Sequence, residues 1–300
     1  MSVDSALHLN ERAEAASRAL PALLVEAERI AATVIQGIHG RKRAGPGESF
    51  WQYRPYGFGD STSRIDWRKS ARSAHVYIRE NEWEAANILW LWASPSNSMD
   101  FKSHLASSTK RNRAYLITMA LASLAIRAQE RVGLMGSPHR PGHARSTLGP
   151  MATWLLQDQG PLLPPAQPLQ KFSSAVLISD FLDPPVSIES AVRGLASHGV
   201  SGHLVQVIDP AEEVLPYAGR VEFREMAGPQ KFTAGRAEQL RAAYAEKFRQ
   251  QREAVRQIAA SVQWSFTVHH TDRSTAKLLM SLHGLIGGAT SRAFGVGTAS

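Results

Sequence analysis

From Glu84 onward the chain alternates short apolar runs with longer amphipathic stretches, and this alternation narrows its possible folds more than any other feature. Ile88 to Ala93, Val132 to Met135, Ser174 to Ser179, His203 to Ile208 and Trp264 to Val268 are apolar and too short for helices, so they read as strands. Thr109 to Glu130, Pro150 to Gln157, Ile188 to Ser197, Ala234 to Ser261 and Ser274 to Leu285 have helical spacing, with Thr233 as an N-cap for the fourth. Val221 to Thr233 reads as a hairpin turning at Ala227-Gly228-Pro229. The run Ser174 to Ser179 is almost wholly apolar, as a strand covered on both faces must be. Strands separated by helices predict an α/β fold: a doubly wound, mostly parallel sheet with helices on both faces.

Two segments precede this pattern. Leu20, Leu23, Leu24, Ala27, Ile30, Ala31, Val34 and Ile35 recur at helical spacing, and Gly37 and Gly40 stop that helix. The next forty residues show neither a 3.6 nor a 2.0 period, although Ala74 to Arg79 reads as a strand. Over 41–79 nine Lys/Arg face three Asp/Glu, which accounts for six of the chain's eight net positive charges. Aromatic residues are interleaved with them. A patch of this kind suits nucleic acid or an acidic protein surface, or it folds into internal Arg–Asp pairs. The expected organisation is a helical segment at 1–39, a basic-aromatic segment at 40–83, an α/β domain at 84–286 and a loose tail at 287–300.

Within the basic segment, Arg54-Pro-Tyr56-Gly-Phe-Gly59-Asp60, then Arg64-Ile-Asp66-Trp67, then Ser70-Ala-Arg72 resembles the signature of the bacterial domain-of-unknown-function 58 family. The likeness extends over roughly 35–285. It implies a von Willebrand factor type A-like fold and a protein partner, a MoxR-type AAA+ ATPase, in chaperone-like maturation or stress response. Arg54, Tyr56, Gly59, Asp60, Arg64, Asp66, Trp67, Ser70 and Arg72 then form either a partner-binding surface or an internal clasp. In the clasp, Asp60 and Asp66 accept bonds from Arg64, Arg68 or Arg72, and Trp67 anchors the segment.

Ligands of doubly wound sheets bind beyond the carboxyl ends of the strands. Two such loops stand out, Ser94-Pro-Ser96-Asn-Ser98-Met99 and Ser179-Asp180. Together they resemble the metal-ion-dependent adhesion site of von Willebrand factor type A domains, in which serine hydroxyls and carboxylates hold Mg²⁺. The resemblance makes Ser96, Ser98 and Asp180 the metal ligands. Ser94 replaces the leading Asp, however, and a magnesium site relies on one or two carboxylates. The expectation is a degenerate site with weak or no Mg²⁺ binding and no other cofactor. Asp100 would compensate only from a different offset. Thr147 is a candidate third element by chain order alone, and a polar turn capping a helix explains the serines equally well.

Asp209-Pro-Ala-Glu212-Glu213 reads as a turn opening a helix. His198, His203, His269 and His270 match no metal spacing, and neither a nucleophile elbow, a Walker loop nor a dinucleotide fingerprint occurs. The chain has no cysteine, which excludes thiol chemistry and Cys-ligated metals. No eighteen-residue apolar run and no basic-then-apolar leader occurs, so a cytoplasmic location is expected. Together with what the family resemblance implies, the expectation is a non-enzymatic protein-interaction module. A nucleic-acid-binding protein using the 41–79 patch is the alternative.

Overall fold

The computed structural model describes residues 19–35, 52–57, 65, 67–73, 75–80, 88–158, 160–224 and 230–293; at 52–55, 68–69, 78–80 and 287–293 it describes the backbone alone. The elements in chain order are helix α1 (19–35), strand β1 (Gln52–Pro55), helix α2 (Trp67–Ser70) and strands β2 (Tyr77–Glu80) and β3 (Ile88–Ala93). Then come α3 (Lys110–Arg127), β4 (Arg131–Leu134), α4 (Leu148–Leu156), β5 (Ser174–Ser179), α5 (Pro185–Ala196), β6 (Ser201–Ile208) and α6 (Pro210–Val214). Strands β7 (Val221–Arg224) and β8 (Lys231–Ala234), helix α7 (Arg241–Ser261), strand β9 (Ser265–His270) and helix α8 (Thr275–Ala293) complete the chain. Two compact units result, one of residues 40–86 and the other of 1–39 with 87–300.

The larger unit is built on a five-stranded sheet of order β4-β3-β5-β6-β9. Every pairing within it is parallel, with Trp90 opposite Ala175, Val176 opposite His203 and Val205 opposite Thr267. This is the doubly wound α/β arrangement that the strand–helix alternation predicts. Successive side chains of a strand point to opposite faces, and the two faces feed two separate cores. Val176 and Ile178 of β5, with Val205 and Val207 of β6, pack among α1, α3, α4 and α8. Ala175 and Leu177 of β5 and Leu204 of β6 pack among α5 and α7 instead. Helix α1 therefore belongs to the core of the α/β unit through Ala27, Ala31 and Val34. Each fully buried Leu or Ile of these layers contributes roughly 1.5–3 kcal/mol of apolar transfer.

Two local features fix the sheet. The indole of Trp264 covers Gly202 so closely that a Cβ there would lie 2.1 Å from Cδ2, while its Nε1 donates to Val200 O at 3.1 Å. At the β4 edge, Val132 and Gly142 form an isolated antiparallel bridge, N to O at 2.8 and 3.0 Å.

Some boundaries depart from the sequence reading. The long helix does not start at Ala234, and Thr233 is not its N-cap. Thr233 pairs with Glu222 in the β7–β8 hairpin, a 3₁₀ turn occupies Ala237–Leu240, and α7 begins at Arg241. Gly235 lies between strand and turn and interrupts the helical register. The expected Ala-Gly-Pro turn lies outside the described residues. Helix α8 continues to Ala293, beyond the expected end at Leu285. Among the described residues no helix is long and apolar enough to cross a membrane.

In the smaller unit β1 and β2 form an antiparallel pair with Tyr53 opposite Arg79, extended by Tyr56 N donating to Val76 O at 2.7 Å. Ser70 Oγ accepts from Tyr77 N at 2.9 Å, so the end of α2 is tied to the start of β2.

Candidate functional site

At the carboxyl end of the sheet, the loops after β3, β5 and β6 meet the first turn of α3. That turn carries Lys110, Arg111 and Arg113 and no acidic residue. The amino end of a helix is its positive pole, so three cations there are unfavourable unless carboxylates from elsewhere offset them. Thr109 caps the helix by accepting from Asn112 N at 3.1 Å, which fixes where the first turn aims its side chains.

Lys110 is 0% exposed. Its Nζ donates to Asp180 Oδ2 at 2.9 Å and to Glu212 Oε1 at 2.5 Å, and lies 5.9 Å from the centroid of the Phe101 ring. Burial works against the ammonium, but the two carboxylates outweigh it, and the Lys110 pKa is raised above its ordinary value. Glu212 shows the other side of the arrangement. Burial lifts its pKa above the ordinary carboxylate range, Lys110 pulls it back only in part, and nearby Asp180 adds to the rise. One cation thus holds together the buried carboxylate of Asp180 and the mostly buried one of Glu212.

Each partner is itself positioned. Asp180 sits at the end of β5, where Gln206 Nε2 donates to its carbonyl at 2.9 Å and Leu182 N approaches Oδ1 at 3.4 Å. The next residue, Phe181, is buried with φ of 51°, a backbone region that bulky residues seldom adopt. Its carbonyl and that of Asp183 each accept from Gln251 Nε2 at 2.8 Å, which secures the turn. Glu212 closes a capping box: its Oε2 accepts from Asp209 N at 2.9 Å, and Asp209 Oδ1 accepts from Ala211 N at 2.9 Å. Asp209 also accepts from Ser103 N at 2.8 Å and from Ser103 Oγ at 2.5 Å. The sequence reading of this stretch as a helix-opening turn is what the structure has, with Lys110 and Ser103 as partners it did not foresee.

Arg111 organises the serine loop. Its guanidinium grips Asp100 with two bonds of 2.5 and 2.7 Å, donates to Asp158 Oδ1 at 2.6 Å, and reaches the carbonyls of Pro95 at 3.1 Å and Ser96 at 3.2 Å. Tyr115 Oη donates to the same Asp158 oxygen at 2.5 Å. Burial raises the Tyr115 pKa, and Asp158 raises it further. Asp100 is therefore committed to Arg111 and does not stand in for the missing Asp. Ser94 is buried, and its Oγ accepts from Ser96 N at 3.3 Å; Ser96 and Ser98 share a hydroxyl–hydroxyl bond of 3.0 Å. Ser96 also N-caps the Asn97–Asp100 3₁₀ turn by accepting from Ser98 N. Thr147 lies elsewhere, its Oγ1 2.4 Å from where a Cβ on Gly142 would be.

The residues present do not fit a divalent cation. Asp180 gives Oδ2 to Lys110, Ser94 replaces the leading carboxylate, and the lysine ammonium stands between Asp180 and Glu212. Among the described residues no cluster of three or more His, Asp or Glu is arranged to hold a metal ion.

Elsewhere along this edge, Glu213 accepts from Arg252 Nη1 and pairs with His270 Nε2, both at 2.6 Å. Burial opposes the charge of Glu213, but these partners hold its pKa below the ordinary value. His203 and His269 are buried, and burial lowers both to about 4. His198 is exposed, with Nδ1 2.9 Å from Gly194 O. Leu182 and Val186, which follow β5, are 44% and 76% exposed, and Val214, which follows β6, is 53% exposed.

Of the signature residues, Gly59, Asp60, Arg64 and Asp66 lie outside the described residues, as does the side chain of Arg54. Tyr56 and Arg72 are exposed, and Ser70 is half-buried. Trp67 is 67% exposed.

A doubly wound α/β domain with a lysine-bridged carboxylate pair at its carboxyl edge is the class that fold and site define. Over residues 52–254 the sequence matches the family described as "Protein of unknown function DUF58", and the chain belongs to that family. Uncharacterized proteins of Mycobacterium tuberculosis and Mycobacterium bovis are 29% identical over 210 residues, 64% of this chain and 65% of theirs. The aligned part thus falls short of two thirds of those relatives' length. Among solved structures, a conserved hypothetical protein BatB from Bacteroides thetaiotaomicron has a TM-score of 0.40 at 10% identity, covering 67% of this chain and 99% of its own. An aerotolerance-related membrane protein from Bacteroides fragilis has a TM-score of 0.38 at 13% identity, covering 69% of this chain and 99% of its own.

Proposed function

We propose that this protein is a non-enzymatic docking module that engages a MoxR-type AAA+ ATPase through the carboxyl edge of its sheet. The observation that carries the reading is the orientation of polarity at that edge. Charge is turned inward, with Lys110, Arg111, Asp180 and Glu212 bonded to one another or to neighbouring loops, while Leu182, Val186 and Val214 are turned outward. A rigid polar frame that presents apolar side chains suits contact with a protein surface. A general acid or base would instead need a titrating group within reach of a substrate. The exposed Trp67, Tyr56 and Arg72 of the smaller unit suit partner recognition as well, since aromatic and arginine side chains are enriched among residues that dominate binding energy.

Affinity capture of the tagged protein, with and without ATP, tests this reading. Retention of an AAA+ ATPase, lost in a Leu182→Asp/Val186→Asp variant that melts like the wild type, is the expected result. Capture of the ATPase unaffected by that variant moves the contact to another surface. Retention of nucleic acid with a steep salt dependence replaces the reading with the 41–79 patch as a nucleic-acid binder.

A further inference from the structure

We infer that Lys110 is the built-in cation of this site: its ammonium does within the chain what a bound divalent ion does in a metal-ion-dependent adhesion site, so the carboxyl edge assembles without metal. This holds whichever partner binds there.

Three observations carry it. The ammonium is fully enclosed and bonded to one carboxylate from the end of β5 and one from α6. It thereby joins three elements, since Lys110 itself opens α3. Cross-linking loops that meet at a strand end is the structural task of a cation there. The leading carboxylate is meanwhile replaced by Ser94, which is buried and bonded to its own loop. The two departures compensate. A divalent ion needs more negative charge around it than a monovalent ammonium does, and two carboxylates around one ammonium leave a single net negative charge.

The arrangement also predicts what its loss would create. Removing the lysine side chain beyond Cβ leaves a space the size of three methylenes and the ammonium, beside two carboxylates whose oxygens lay 2.9 and 2.5 Å from the missing nitrogen. Mg²⁺ and ions of similar size bind through one or two carboxylates, keep several waters, and need oxygens at about 2.0–2.1 Å. The vacated stem has room for such waters, and closing the oxygens onto the ion requires movements of under about 1 Å. Lys110→Ala is thus expected to exchange an internal cation for an external one.

The test is thermal melting of the full chain in EDTA and in millimolar MnCl₂ or MgCl₂. The wild type is expected to melt at the same temperature in all three. Lys110→Ala is expected to melt well below it in EDTA and to rise by roughly 5 °C or more in MnCl₂, as a ligand that binds only the folded state requires. Lys110→Met, whose stem still fills the space, and Lys110→Ala/Asp180→Asn, which lacks one carboxylate, are expected to show no such rise. A wild-type melt that moves with the metal ions overturns the inference. So does a Lys110→Ala chain that melts equally in EDTA and MnCl₂, or one that stays unfolded in both.

Discussion

Lys110 and Arg111 are neighbours at the start of one helix, and each is held by two carboxylates, yet their surroundings differ. Lys110 is a compact charge sealed between β5 and α6, with both partners at least mostly buried. Arg111 is a planar fork at the boundary of the fold, with Asp100 nearly half exposed and the rest of its bonds spread over loop carbonyls and Asp158. Lys110 sets the position of whole elements, and solvent cannot replace it. Arg111 ties the loop after β3 to Asp158 after α4, and water reaches both of its acids. Adjacent cations with equal numbers of acids therefore differ in what depends on them.

Breaking the Lys110 side should have the largest effect. Lys110→Met leaves Asp180 and Glu212 buried without a counter-charge, and about 3–5 kcal/mol should be lost in urea unfolding. The alkaline limb gives the sign. Because the folded pKa of Lys110 is raised above the 10.5 of the unfolded chain, its contribution is fully present below pH 10.5 and is lost only as pH rises through the higher folded value.

His203 and His269 sharpen the comparison, being buried basic groups whose shift comes first from burial, with no compensating carboxylate contact of the Lys110 kind. Their folded pKa of about 4 lies below the ordinary 6.5. The folded state therefore resists protonation, and stability falls as pH drops from 6.5 toward 4. Each site accounts for roughly 3 kcal/mol of that loss. A His203→Gln/His269→Gln variant should show a flatter acid limb in pH-dependent melts.

Arg111→Lys should cost about 1–3 kcal/mol, because an ammonium cannot reproduce the two-pronged grip on Asp100. Proteolysis should then cut first in the 94–100 loop, where the guanidinium now holds two carbonyls. Thr109→Ala, which removes the cap that aims both cations, should cost about 1 kcal/mol in the same unfolding assay. Glu213→Gln, at a pair open to solvent, should change stability by less than about 1 kcal/mol.

The inner strands of the sheet were legible because they are buried on both faces. β3 and β5 fall at the residues their apolar runs predict, since nothing but a double-sided core tolerates ILWLWA or AVLI. The start of α7 was not legible. The hairpin strand expected to end at Thr233 includes Ala234, and a 3₁₀ turn at Ala237–Leu240 precedes the helix, although the helical spacing of the sequence runs through both. The serine loop and Asp180 were found by the rule that loops after strands carry the chemistry. Lys110 was missed because a lysine on a helix ordinarily reads as solvated. A usable signal was present: Lys110, Arg111 and Arg113 crowd the positive pole of α3 without a local acid, so carboxylates had to arrive from distant loops. Which acids arrive is decided by strand order, which the sequence does not spell out.

The bridge between Val132 and Gly142 has a meaning for the chain among its own copies. β4 is an outer strand of a five-stranded parallel sheet, with backbone donors and acceptors facing away from β3. An outer strand left open is a template onto which another chain can stitch itself. By taking up the Val132 amide and carbonyl, Gly142 shortens that template, and Pro141 beside it offers no amide of its own. At this border another copy of the chain meets a shorter row of backbone groups than a bare outer strand would offer.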